Sequence, residues 1–261
     1  MNKSYILKKR LEYLKILIIQ IIIVIAFFLI WEFAANLKII DSFLFSQPSK
    51  VMKTLKMYLL DGELFYHIKI SLIETLLGLS IGTIVGIVMA IILWWFKKLA
   101  RIFTPFLIVF NALPKTALAP IIIIWVGTGV SGIVVVAISI SIVMTIITAY
   151  SNFIQVEEEK IKMMRSFNAS KWQILTKLVL PANFVNIVTI VKINIGLTWV
   201  GTIVGEFLVS KAGLGYLIVY GTGVFKLDLV MMGIMVLALI AFIMYEVVSL
   251  FEKYLIKKRG S

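Results

Sequence analysis

The 261-residue chain has no cysteine, one histidine, five prolines and only 13 acidic side chains. Without cysteine there is no disulfide, no thiolate metal site and no thiol chemistry. The lone His67 has no metal-ligand spacing around it and reads as a residue outside the membrane. No nucleophile–base pair or carboxylate dyad forms a believable site, so the chain is not itself a catalyst. No Gly-x-x-x-x-Gly-Lys-Ser/Thr occurs, so it carries no phosphate-cradling loop. Low-complexity stretches and an inverted repeat between the halves are also missing. Charge is scarce too: charged residues make up 15% and hydrophobic residues 61%, against ~25% and ~45–50% in soluble domains. With a mean hydropathy of +1.06, water could not solvate the surface such a chain would expose. It is an integral membrane protein.

What the sequence has is long apolar runs. A crossing helix needs about 20 mostly apolar residues, and six stretches qualify: 14–35, 70–96, 102–126, 133–154, 184–209 and 229–250. The first follows a basic start, but its apolar run is longer than a signal peptide's ~7–15 residues and no small-residue cleavage site closes it. It reads as a retained span. Lys and Arg total 26, for a net charge of +13, which by itself would suit a nucleic-acid partner. Position excludes that reading. Lys3, Lys8, Lys9, Arg10 and Lys15 precede the first span; Lys97, Lys98 and Arg101 join the second to the third. Lys160, Lys162, Arg165, Lys171 and Lys177 follow the fourth, and Lys253, Lys257, Lys258 and Arg259 follow the sixth. All fall on one side of a six-span topology, so the positive-inside rule makes both termini cytoplasmic.

Outside the spans, 36–69 holds a stretch opened by Pro48 with apolar residues at helical spacing, which suits a short helix on the outer membrane face. Residues 127–132, with three glycines, read as a tight outer turn. Residues 155–182 are the substantial cytoplasmic segment. Glu157, Glu158 and Glu159 suit the positive end of a helix dipole, and Ile161, Met164 and Phe167 then share a face. Asn168 tolerates a left-handed turn. Ser170 to Gln173 has capping-box form, opening a second helix with Trp172, Leu175 and Val179 that is expected to stop at Pro181. The result is helix–turn–helix, either packed on its own spans or offered to a cytoplasmic partner.

Charges at membrane depth cost about 2.5–3.5 kcal/mol each on insertion scales, so each needs a reason. In the fifth span Lys192, Gly196, Trp199 and Glu206 share one face with Thr189 and Thr202 alongside, a polar stripe about 21 Å long. It suits either a wet pathway or a helix interface. The third span is interrupted by Pro105, Pro114 and Pro120, and freed carbonyls are tolerated at depth only against protein or a water-filled cavity. Asn111 and Lys115 stand one turn apart beside Pro114, where Lys115 could attract an anion or pair with Glu206 or a carbonyl. Glu32, Glu74 and Glu246 sit near span ends and read as interfacial.

In these motifs the chain resembles the permeases of bacterial binding-protein-dependent ATP-binding-cassette importers. Their cytoplasmic Glu-Ala-Ala…Gly…Leu-Pro signature is matched in spacing by Lys162-Met163-Met164, Asn168-Ala169 and Leu180-Pro181, though the Glu-Ala-Ala and Gly identities are changed. The run 47–51 resembles the family's outer segment. Residues 113–120 with Trp125-Val126-Gly127, Gly205-Glu206, and Gly213-Leu214-Gly215-Tyr216 resemble the sulfonate, taurine and nitrate branch.

The resemblance implies an all-α, six-helix, type I importer (MetI-like) fold in a bacterial cell membrane. A first span with its external segment, 1–69, would precede a five-span core, 70–261, carrying the coupling segment 155–182. It implies that Lys162, Met163, Met164, Phe167, Asn168, Ala169, Leu180 and Pro181 dock a cytoplasmic ATPase dimer. Asn111, Lys115, Lys192, Trp199, Thr202 and Glu206 are the candidates for lining a path. ATP and magnesium would sit on the ATPase, with no cofactor on this chain. An external binding protein would deliver the solute, an organic anion or a vitamin-precursor pyrimidine, to a dimer of permeases. The residues alone leave two alternatives: an ion-coupled secondary transporter using Lys192 and Glu206, or a membrane assembly factor that transports nothing.

Overall fold

In hydrocarbon every backbone N–H and C=O must be satisfied within the protein, which a helix does inside its own segment. The computed structural model describes residues 3–259, apart from the side chains of 3–10, 13 and 257–259, and among the described residues it is helical without strands. Lys3, Lys8, Lys9, Arg10, Lys257, Lys258 and Arg259, used above for orientation, have side chains outside the described set. The long helices are α1 (Lys3–Asn36), α3 (Glu63–Trp95), α6 (Val130–Ile154), α10 (Phe184–Val209) and α12 (Leu227–Arg259). Shorter elements are α2 (Pro48–Leu60), α4 (Lys97–Ala112), α5 (Lys115–Val126), α7 (Glu158–Ser166), α8 (Lys171–Ile174), α9 (Leu180–Ala182) and α11 (Leu214–Gly223).

Small residues set the centre. Gly78, Gly82 and Gly86 of α3 lie against Ala137, Ser141 and Thr145 of α6; a Cβ on Gly78 would come within 2.9 Å of Ala137, and one on Gly82 within 2.8 Å of Ser141. The constant offset means that α3 and α6 run parallel. Gly201 and Gly205 of α10 press on Ala137 and Ile133 from another side. Between apolar helices in lipid there is little hydrophobic drive, so close backbone approach through small residues is what holds them. The partners of α10 descend as it ascends: Asn194 meets Thr83, Thr202 meets Thr75, and Glu206 meets Ser71. Helix α10 is therefore antiparallel to both.

This register decides the fate of the third apolar stretch. It is not one helix from 102 to 126: α4 begins at Lys97, and it meets α5 at a 99° bend across Leu113 and Pro114. Proline lacks the N–H that would continue the ladder and disfavours helical geometry in the residue before it, and Leu113 is extended at φ −65°, ψ 139°. Because α3 and α6 are parallel, the chain must return from the level of Trp95 to that of Val130, about 36 Å at 1.5 Å per residue. The bent pair makes that return. Together the two helices are long and apolar enough to count as one broken span.

The remaining elements wrap this centre. Val51 of α2, Leu64 of α3, Leu214 and Leu217 of α11, and Leu229 and Met232 of α12 form one buried cluster. Helix α1 buries none of its apolar window within the chain. It is tied to the rest by Trp31, which packs against that cluster, and by Glu32, which accepts from Ser49 N at 2.9 Å where α2 begins.

Candidate functional site

The segment from 155 to 183 leaves the end of α6, and its turn and cap follow their local chemistry. Asn168 has φ 55°, the left-handed turn that reverses the chain. Ser170 accepts from Gln173 N at 3.2 Å and Gln173 Oε1 accepts from Ser170 N at 2.8 Å, a closed capping box. Pro181 does not stop the second helix. The winding widens into a π-helical turn at Leu175–Val179, where Leu180 N bonds to Leu175 O, and runs on past Pro181 through α9.

The apolar face of α7 is divided. Ile161 and Met164 pack inward with Leu180 against Ala149, Phe153, Ile174 and Leu175, which ties α7 to the ends of α3 and α6. Met163 and Phe167 point away at 55% and 78% exposure. Lys162 pairs with Glu158 at 3.2 Å, an exposed pair worth little in stability. Ala169 is half-buried, its N–H bonded to Met164 O at 3.0 Å. The segment thus presents a short helix with two half-buried apolar side chains on the core and two large ones left outside it.

The polar stripe of the fifth apolar stretch is divided: Thr189 and Gly196 are exposed, and the rest faces protein. Trp199, Thr202 and Glu206 are buried, and Thr75 donates to Thr202 Oγ1 at 3.1 Å. Glu206 accepts from Ser71 Oγ and from Gly215 N, while Ser71 Oγ accepts from Leu214 N at 2.7 Å. Lys192, expected either to snorkel or to line a path, pairs with Glu252 of α12, both side chains mostly buried, and stands over the Tyr245 ring.

Asn111 is exposed and Lys115 half-buried at the bend. Lys115 Nζ lies 3.2 Å from Asn111 Oδ1 and 3.3 Å from its carbonyl, one of the acceptors α4 leaves open at its end. A cation there also opposes the negative end of the helix dipole. Around them α4 and α5 present Phe103, Phe106, Phe110, Ile124 and Trp125 outward.

His67 is buried in the first turns of α3, accepts from Gly213 N at 2.9 Å and stacks on Tyr216. One expectation is corrected. Glu74 is not interfacial; it is buried one turn beyond Ser71, beside the carboxylate of Glu206. Sequence reading also missed Asn194, which donates to Thr83 at 2.9 Å and Thr145 at 2.8 Å and so joins α3, α6 and α10. The four-residue spacing of Gly78, Gly82 and Gly86 was the available signal that α3 has a partner at this depth.

The comparisons agree on one group of proteins. The family described as "Binding-protein-dependent transport system inner membrane component" matches residues 82–259. A putative aliphatic sulfonates transport permease protein, SsuC, of Bacillus subtilis is 27% identical over 255 residues, 97% of this chain and 91% of that one. The formylaminopyrimidine transport permease protein ThiX of Halalkalibacterium halodurans is 27% identical over 188 residues, covering 72% of this chain and 74% of its own. Among solved structures, a chain of the inward-facing MetNI methionine ABC transporter superposes with a TM-score of 0.60 at 18% identity, over 76% of this chain and 96% of that one. That likeness establishes the fold.

Proposed function

Since the chain belongs to the family of binding-protein-dependent transport system inner membrane components, we propose that it is the membrane permease of an ATP-driven importer, docked through α7 to a separate ATPase. The observation that carries this is the division of α7. Ile161 and Met164 fasten the helix to the ends of α3 and α6, so any push on it reaches the spans. Met163 and Phe167 remain as an exposed apolar pair, and large exposed aromatics of this kind anchor interfaces. In this reading that end is cytoplasmic, both termini lie on that side, and ATP and magnesium belong to the ATPase dimer.

The permease works as a dimer, and the outward aromatic face of α4 and α5 at the bend supports that reading, since it is left exposed by the described residues. Asn111 and Lys115 stand on this face, which makes them the pathway-lining candidates. Trp199, Thr202 and Glu206 are held inside the subunit, and Lys192 serves as a structural pair. An external binding protein delivers the solute, and an organic anion such as a sulfonate suits Lys115; a vitamin-precursor pyrimidine is the other class that relatives suggest. The paired state of Lys192 and the burial of Glu206 disfavour an ion-coupled mechanism built on those two groups.

The test is co-purification with the ATPase. Met163→Glu with Phe167→Glu should abolish association while membrane insertion is retained. Retained association would overturn the docking assignment.

A further inference from the structure

Where α3 ends, α4 begins and α7 folds back, the chain encloses a cavity of about 710 Å³. Six cations converge on it, Lys97, Lys98, Arg101, Lys162, Arg165 and Lys171, against one carboxylate, Glu158. Lys162 is paired with Glu158, and Lys171 lies 5.0 Å from the centre of the Trp95 ring and 5.9 Å from that of Trp94. Lys97, Lys98, Arg101 and Arg165 have no ion pair among the described residues. Topology accounts for cations on this side, but not for their meeting around one hollow. A cavity of this size is in the range that holds a small ligand, roughly 300–1,000 Å³.

The wall of the hollow nearest the spans is aromatic: Trp94, Trp95 and Tyr150. Trp and Tyr settle at headgroup depth, where one edge meets lipid and the other water. From Arg101 the same helix continues outward with Phe103 and Phe106, both exposed. An acyl chain lying along those rings would carry its headgroup to the cations.

We propose that this cavity seats the phosphate headgroup of an anionic lipid from the adjoining leaflet. Clustered Lys and Arg at a membrane surface recognise such headgroups by charge, and Arg adds bidentate hydrogen bonds to phosphate oxygens. The seat does not compete with the ATPase. On α7, Glu158, Ile161, Lys162 and Arg165 line the cavity, whereas Met163 and Phe167 stand on the opposite side of the helix at 100° per residue. A bound headgroup would brace α7 from behind while its other face stays free.

Native mass spectrometry of the full chain from mixed micelles tests this, with phosphatidylglycerol and phosphatidylcholine at equal amounts. Preferential retention of phosphatidylglycerol is expected. The triple variant Lys97→Gln, Arg101→Gln, Arg165→Gln should lose it, by roughly fivefold per cation removed. The equally charged control Lys53→Gln, Lys56→Gln, Lys211→Gln, at the other end of the spans, should keep it. Equal loss in both variants, or no preference in the unaltered chain, would overturn the proposal. Displacement of the lipid by millimolar inorganic phosphate would assign the seat to a free anion and overturn the lipid. If the triple variant does not fold, fluorescence of the unaltered chain decides: a headgroup nitroxide on phosphatidylglycerol should quench tryptophan more than the same label on phosphatidylcholine. Equal quenching contradicts the proposal.

Discussion

Glu206 and Gly215 are nine residues apart and joined inside the protein, the carboxylate of α10 accepting the backbone N–H at the start of α11. The same carboxylate accepts from Ser71 of α3, whose oxygen accepts from Leu214 N. Three helices are thereby tied at one end of the spans. The glycines beside the tie are required by it. Gly213 has φ 116°, where L side chains are strained, and a Cβ there would overlap the Glu206 carboxylate; one on Gly215 would come within 2.8 Å of Glu206 Cβ. Glu206→Ala should therefore destabilise the protein by roughly 1–3 kcal/mol for each buried donor left unpaired. Thermal unfolding in detergent measures this, and a melting temperature equal to that of the unaltered chain would remove the tie from the account.

The glycines of α3 are a packing device, and the structure separates them from one that is not. A side chain at Gly82 has Ser141 Oγ 2.8 Å from its first carbon, whereas a Cβ on Gly196 meets nothing within 4 Å. Gly82→Leu is expected to abolish the monodisperse peak in size-exclusion chromatography. Gly196→Ala should leave it unchanged or raise stability by up to ~1 kcal/mol through helix propensity. Similar behaviour of the two variants would contradict the packing of α3 on α6.

The missing cysteines make the broken crossing directly testable, since any thiol introduced is the sole labelling site. If α4 and α5 form one crossing, Lys98→Cys and Thr128→Cys must react from opposite faces of the membrane. A charged, impermeant maleimide applied to intact cells is expected to label position 128 and to reach 98 only after permeabilisation. Labelling of both from one face would make the bend a re-entrant loop.

What could be read in advance was local chemistry. The capping box at Ser170 and Gln173 and the left-handed turn at Asn168 depend on residues within a few positions, and both are present. Apolar length located the long helices, and Pro114 marked an interruption. The 99° angle was not legible, because it depends on where α6 begins relative to α3. Nor were the partners of His67, Glu74 and Asn194, which come from distant helices; Gly213 lies 146 positions from His67. A polar stripe read on one helix cannot say whether it faces water or another helix. On α10 the neighbour is α3, carrying Ser71, Thr75 and Thr83 in matching register. The division of α7 was hidden for a related reason: Met163 and Met164 differ only in which one the core reaches.

The central claim is transport driven by ATP through this chain, and uptake into sealed proteoliposomes tests it most directly. The chain is reconstituted with its ATPase, a sulfonate-loaded external binding protein is supplied, and radiolabelled solute is followed with ATP on the ATPase side. Accumulation should require ATP and the ATPase, should stop with Met163→Glu and Phe167→Glu together, and should be indifferent to an imposed proton or sodium gradient. Accumulation by the chain alone, driven by such a gradient without ATP, would contradict the account.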